Sequence, residues 1–447
     1  MNDPSAAEGS ASRPLGRGQT TYRRTLGTTA SLVVAILVNS ATGFVFWWMA
    51  ARLFPPTEVG LAGAAVSAML LLSQISVLGL GTQLAGVLHQ EARAASLTFT
   101  ALLTAGGAGA LLGLAFALAA PLISDDLRPL SAGPLVVLVF VAGVSLSTLA
   151  SVLDQALVSM FRSTQQLVRN AVFSFGRLAL LAVASLVLAP AAMVIYGAWA
   201  VGVLVSVAAI ALLVPVTRRP AVRPLMWRKL SEMARSSFSH HVLDLSRSSS
   251  VWLLPLIVTV LLSPGLNASF YVAMLLANFI AIVGKSGTFT LYIVGARAPQ
   301  ELWRHLRLTL AIAAAVSVLG SVTLAILGSA LLSAFGPTYV SAFPAVAILG
   351  ISCLPLAVKD HWIAIQRVRG TVAPAAVIGV GLLVAELVAS AIGAINGGLL
   401  GLAVARLGVL LVQAVFMAPI VYASLFPGSL AALTPDAPPG PGGELSA

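Results

Sequence analysis

Long uncharged apolar stretches, broken only by short clusters of proline, glycine or charge, run through the chain from about residue 28 to residue 423. A stretch of this kind about 20 residues long crosses the hydrocarbon core of a bilayer as a helix. Lipid offers no hydrogen bonds to unpaired backbone, so only helices or closed barrels span it, and these runs exceed the roughly 10 residues of a barrel strand. The fold class is therefore an all-α polytopic membrane protein. Composition excludes a water-soluble domain: 59% of the 447 residues are hydrophobic and 9% are charged, about a third of the charge a water-facing chain carries. The single cysteine, Cys353, excludes a disulfide framework or a cysteine zinc site.

Twelve spans are predicted, at 28–53, 59–84, 96–123, 133–158, 170–190 and 193–216, then 237–262, 267–294, 309–335, 339–363, 372–394 and 398–423. Sorting loop residues by side puts eighteen basic residues together, among them Arg93, Arg162, Arg169 and Arg367, against Arg52 and Arg128 opposite. Basic loops stay in the cytoplasm, which places both termini there and the protein in the cytoplasmic membrane. The net charge of +11 is thus a topology signal, and no nucleic-acid partner is implied. Residues 1–26 and 424–447 read as disordered tails, 27–216 as an N-lobe, 217–236 as a basic linker and 237–423 as a C-lobe. The two lobes repeat each other loosely. Pro56 and Pro264 follow spans one and seven at a separation of 208, and Asp154 and Asp360 end spans four and ten 206 apart. Two six-helix lobes, pseudo-symmetric about an axis along the membrane normal and enclosing a central cavity, are the expected architecture.

The stretch Ala51-Arg52-Leu53-Phe54-Pro55-Pro56-Thr57-Glu58-Val59-Gly60, followed by Leu78-Gly79-Leu80-Gly81, resembles the opening of the polysaccharide flippases of the O-antigen type. These belong to the MATE-like multidrug/oligosaccharidyl-lipid/polysaccharide exporter superfamily. Phe335-Gly336-Pro337-Thr338-Tyr339 and Ala364-Ile365-Gln366-Arg367-Val368 resemble its passage through helices nine to eleven. The resemblance covers about 30–423. It implies a secondary transporter that carries polyprenyl-diphosphate-linked oligosaccharide outward for cell-surface polysaccharide synthesis, with a polymerase or ligase as a candidate partner.

Charges inside spans are costly, about 2.5 to 3.5 kcal/mol each on insertion scales, so each is a functional candidate until a partner explains it. Asp154, Lys359 and Asp360 lie near helix ends, where snorkelling accounts for them. Glu386 and Arg406 sit at matching depth on consecutive antiparallel helices and are expected to pair; ion coupling at Glu386 and substrate contact at Arg406 are the functional alternatives. The cytoplasmic half of span seven is crowded with serines and holds Asp244 and Arg247, which share a face and can pair locally. Such a half-helix must line water or pack on polar neighbours. Arg177 and Lys285 have no carboxylate nearby in sequence. Together with Arg247 they are expected to form one cationic lining for a diphosphate, with Asp244 and Arg406 beside them. Gly284-Lys285-Ser286 is no phosphate loop, since Phe279 stands where its first glycine belongs. The histidines have no metal-ligand spacing, so neither metal nor cofactor is expected.

Two other functions compete. A multidrug cation antiporter of the same superfamily would need an acid in span one, where the polar candidates are Asn39, Ser40 and Thr42 and none is an acid. A membrane glycosyltransferase would have to use Asp125-Asp126 or Glu58 as base, with no large outer domain to support it.

Overall fold

The structure, a computed structural model, describes residues 38–80, 84, 88, 91, 93–160, 162–213, 224–297 and 302–427. Every regular element among them is helical. They are α1 (38–53), α2 (Pro56–Ser76), α3 (Ala94–Ile123), α4 (Pro134–Ser159), α5 (Ser163–Val187) and α6 (Ala192–Leu213) in the first half. The second half holds α7 (Trp227–Leu261), α8 (Pro264–Arg297), α9 (Leu302–Ser333) and α10, in two segments, Phe343–Ile351 and Cys353–Val368. The last helix, Val372–Ala423, divides at Gly397 and Gly398 into α11 (372–396) and α12 (399–423), because Gly398 takes φ 58, a conformation glycine adopts without strain. Ten helices are each long and apolar enough to span a membrane; the division at Gly398 and the described part of α1 make twelve. The expected tails lie outside the described residues except for 424–427, as do 28–37 of the first span and 217–223 of the linker.

Four ends differ from expectation by seven residues or more. α2 stops at Ser76 rather than 84, since Leu78 and Gly79 both have left-handed backbone. α5 begins at Ser163 rather than 170, α7 at Trp227 rather than 237, and α9 at Leu302 rather than 309. In all three, polar first turns continue the helix beyond the apolar run, where backbone bonds are still made but hydropathy has faded. Residues 227–236, assigned to the linker by sequence, are thus the first turns of α7. Proline breaks α10: the ring of Pro355 leaves no N–H for the carbonyl four residues back.

The halves pack alike. α3 lies on α4 and α2 on α4 in the first, and α9 lies on α10 and α8 on α10 in the second, with α2 crossing to α7 and α8 between them. Outward faces are apolar and exposed, as at Leu186 on α5 (85%) and Ile326 on α9 (71%), which suits lipid rather than water. At the end of the molecule away from the basic loops the lobes touch closely. Asn267 Nδ2 donates to the Gly60 carbonyl at 2.8 Å, and Trp48 Nε1 and Arg52 Nε both donate to the Ala334 carbonyl at 2.9 Å. At the basic end Ser237 donates to the Gly79 carbonyl and Lys229 pairs with Glu91.

Candidate functional site

A cavity of about 390 Å³ lies between the lobes, walled by α1, α2, α4, α5 and α6 on one side and by α7 and α8 on the other. On α5 it is faced by the stripe Arg169, Phe173 and Arg177, all buried. Residues four apart share a helix face, and the opposite face carries exposed Phe175 and Val183, so the amphipathic pattern of α5 itself turns these two cations inward.

Arg177 is 1% exposed, with its guanidinium 4.4 Å from the Trp199 ring, 4.5 Å from Phe173 and 5.6 Å from Phe46. Its Nη2 donates to the Asn39 carbonyl and Oδ1, each at 3.2 Å, and to Thr42 Oγ1 at 3.3 Å. Its Nε has no acceptor, and no carboxylate pairs with it among the described residues. Aromatic faces stabilise a cation without consuming its in-plane N–H donors. Asn39 and Thr42, two of the polar residues of the first span, therefore serve as the seat of Arg177. The one carboxylate in this cavity wall, Asp154, accepts from Arg169 Nε and Nη2, both at 2.5 Å. Arg169 also donates to Ser206 Oγ at 3.2 Å. Sequence placed Arg169 in a loop and Asp154 at a snorkelling helix end; the longer α5 instead buries Arg169 and joins it to the half-buried Asp154 as a bidentate pair. Among the described residues the cavity charges are thus Asp154, Arg169 and Arg177, leaving one uncompensated cation.

A second, smaller cavity of about 180 Å³ lies one helical turn toward the basic end. α7 offers Val251 to the first and Ser248 to the second, and α8 offers Ile282 and Lys285 respectively. Asp244, Arg247, Lys285 and His241 line it with Gln74 and Gln155. The single cationic lining expected from sequence is therefore two separate sites. Asp244 and Arg247 do not pair with each other. Arg367 Nη2 reaches Asp244 at 2.6 Å and Arg247 Nη1 reaches Asp360 at 3.4 Å, so α7 is tied twice to α10, and Lys285 has no carboxylate partner among the described residues. The serines of α7 divide their work. Ser237, Ser246, Ser249 and Ser250 are buried against neighbours, while Ser248 faces the cavity.

Arg406 and Glu386 line neither cavity. Arg406 Nε donates to Glu386 Oε1 at 3.0 Å, and Lys359 Nζ to Glu386 Oε2 at 3.4 Å, with Glu386 at 0%, Lys359 at 2% and Arg406 at 3% exposure. Arg406, expected as a cavity cation, is held inside the C-lobe by this pairing. Lys359, expected to snorkel, is the third member. Its signal in the sequence was its place one residue before Asp360, which puts the two charges on different faces of α10.

Among the described residues no cluster of histidine, cysteine and carboxylate could hold a metal. At the basic end, the Lys229 ammonium and the Arg93 backbone N–H donate to Glu91 and hold its carboxyl below the usual range. A carboxyl with a lowered folded value stabilises the fold above its unfolded pKa, about 4.3, and loses that contribution as pH falls through the folded value. Spin labels at Ser96 and Ser231 should therefore keep their separation from pH 8 to 5 and move apart only below about pH 4; a change near pH 6 would refute the assignment.

No family model and no curated protein matches the sequence. Solved structures do. An inward-facing conformation of a multidrug resistance MATE family transporter of the MOP superfamily aligns with TM-score 0.64 at 13% identity, over 89% of this chain and 98% of that one. An outward-facing conformation of such a transporter aligns with TM-score 0.60 at 14% identity, over 91% and 96%. A MOP superfamily transporter from Pyrococcus furiosus, whose binding pocket is described as reversed in polarity, aligns with TM-score 0.61 at 14% identity, over 89% and 96%. At such identities the likeness is one of fold: an all-α multi-pass membrane protein with the architecture of MATE transporters.

Proposed function

We propose that this protein is a secondary transporter that moves a polyprenyl-diphosphate-linked oligosaccharide across the cytoplasmic membrane, from the side of the basic loops to the other. The observation that carries the reading is Arg177: a buried guanidinium in the wall of the inter-lobe cavity, preset by aromatic faces and without a carboxylate partner among the described residues. Arg recognises phosphate through its fork of N–H donors, and a buried cation lowers the cost of bringing a diphosphate out of water. Trp47, Trp252 and Tyr271 in the same wall offer ring faces to sugar. The smaller cavity adds Lys285 and Arg247 on the basic side, a second weak station along the same route. Weak binding at several cations suits release better than one tight site.

The rival reading, efflux of cationic drugs, draws on the fold it shares with multidrug transporters. A cationic drug needs a free carboxylate in the cavity, and Asp154 is already neutralised by Arg169. The Pyrococcus furiosus neighbour is described as having a binding pocket of reversed polarity that suggests a different function, so the shared fold does not by itself favour a cationic drug.

The test is translocation in proteoliposomes. Arg177→Gln should slow flipping of a fluorescent lipid-linked sugar by about 100-fold, the loss of a buried charge-assisted contact worth about 3 kcal/mol, and the wild type should not export ethidium. Gradient-driven ethidium export by the wild type, with no movement of lipid-linked sugar, would overturn the reading in favour of the antiporter.

A further inference from the structure

The first turns of α9 and the end of α12 meet at the basic end of the molecule, outside both cavities, through Leu302, Leu306, Met417 and Val421. On the outside of this junction stand two exposed arginines, Arg304 and Arg307, three residues apart on one face of α9. The Arg307 guanidinium lies 4.8 Å from the Trp303 ring and 5.4 Å from Phe426, and that of Arg304 lies 5.2 Å from Trp303. Tyr422 packs its ring against Phe426 at 5.2 Å. Neither arginine has an ion pair or side-chain hydrogen bond among the described residues. Ring contacts occupy guanidinium faces and leave the N–H edges unused.

From these arginines toward the middle of the membrane, α9 exposes Leu308 (59%) and Ile312 (46%), and α12 exposes Phe416 (60%) and Val415 (74%). Two unpaired cations thus cap an apolar surface that faces lipid. We propose that this corner is a binding site for an anionic phospholipid: Arg304 and Arg307 hold the phosphate, and the acyl chains lie along the exposed faces of α9 and α12. The chemistry matches at both ends. A zwitterionic headgroup brings a choline or ethanolamine cation beside two arginines, whereas an anionic one leaves its negative charge uncancelled. Trp303, Tyr422 and Phe426 are amphipathic or aromatic groups of the kind that settle at headgroup level.

The experiment uses the full chain in nanodiscs of equal phosphatidylglycerol and phosphatidylcholine, released into mild detergent and examined by native mass spectrometry. Wild-type protein should retain phosphatidylglycerol over phosphatidylcholine by roughly tenfold or more, the sum expected of two near-surface cations. In the R304Q/R307Q variant that preference should fall to near one, while flipping continues at the wild-type rate. R304K/R307K keeps the charge and loses the stacked fork, so its preference should be intermediate; it also decides the matter if the glutamine pair does not fold. Equal retention of both lipids by the wild type, or unchanged preference in the variants, would overturn the proposal. So would displacement of phosphatidylglycerol by a polyprenyl diphosphate together with loss of flipping in R304Q/R307Q, which would give the corner to the transported lipid.

Discussion

Gly60→Ala should abolish transport while leaving the protein folded, an unusual outcome for the addition of one methyl group. A Cβ at Gly60 would lie 1.6 Å from the Pro264 carbonyl oxygen and 2.8 Å from the Ala268 nitrogen. Both obstacles are backbone, so no rotamer change relieves the overlap, and α2 and α8 must separate. Separation also breaks the bond from Asn267 to the Gly60 carbonyl. Overpacking of this sort costs up to about 3 kcal/mol, and when it falls on only one of two alternating states it shifts their ratio by roughly 150-fold. The state with the far end shut is the one penalised, because lobes that have parted there no longer touch Gly60. With Cys353 replaced, a cysteine at Leu266 should then react faster with an impermeant reagent than in the Gly60 background. Wild-type flipping and unchanged labelling in Gly60→Ala would show that this contact never opens.

Glu386→Ala should cost more stability than any other substitution of a single charge in the chain. It leaves Lys359 and Arg406 buried together with no carboxylate, and removal of one partner from a buried pair costs about 3 to 5 kcal/mol before the repulsion between the two cations is added. Lys359→Met should behave in the opposite way. The triad holds two cations and one anion, so removal of the lysine leaves the neutral Glu386 and Arg406 pair and swaps a buried charge for a side chain of similar length. Thermal unfolding followed by size exclusion should show a folded Lys359→Met protein and a collapse of the Glu386→Ala peak. The reverse order would mean that Lys359, and not Glu386, organises the cluster.

The frame of twelve helices was readable because each apolar run is long and each break is short, so α3, α4 and α6 begin and end within a few residues of expectation. The ends that escaped at α5, α7 and α9 are those where polar residues continue the helix at the headgroup level, whereas α2 stops short at the left-handed Leu78 and Gly79. The intramembrane charges were visible as charges, yet their partners were not. Asp244 and Arg247 look like a local pair at a spacing of three, but each finds its counterpart on α10, 123 and 113 residues away, because nothing in helical periodicity reports a neighbour in another helix. The aromatic seat of Arg177 was hidden for a different reason. Phe46, Phe173 and Trp199 are ordinary residues for a span, and only their convergence distinguishes them from side chains that face lipid.

The walls of the larger cavity are drawn from α1, α2 and α4 to α8 alone, ending at Ile282. On the proposed transport reading, the last four helices act as a counterweight for the second lobe, since none of their described residues lines the larger cavity. Drift in α9, α11 and α12 would then retune the pace of the cycle before the choice of passenger, whereas α10 reaches the smaller cavity through Arg367 and Asp360.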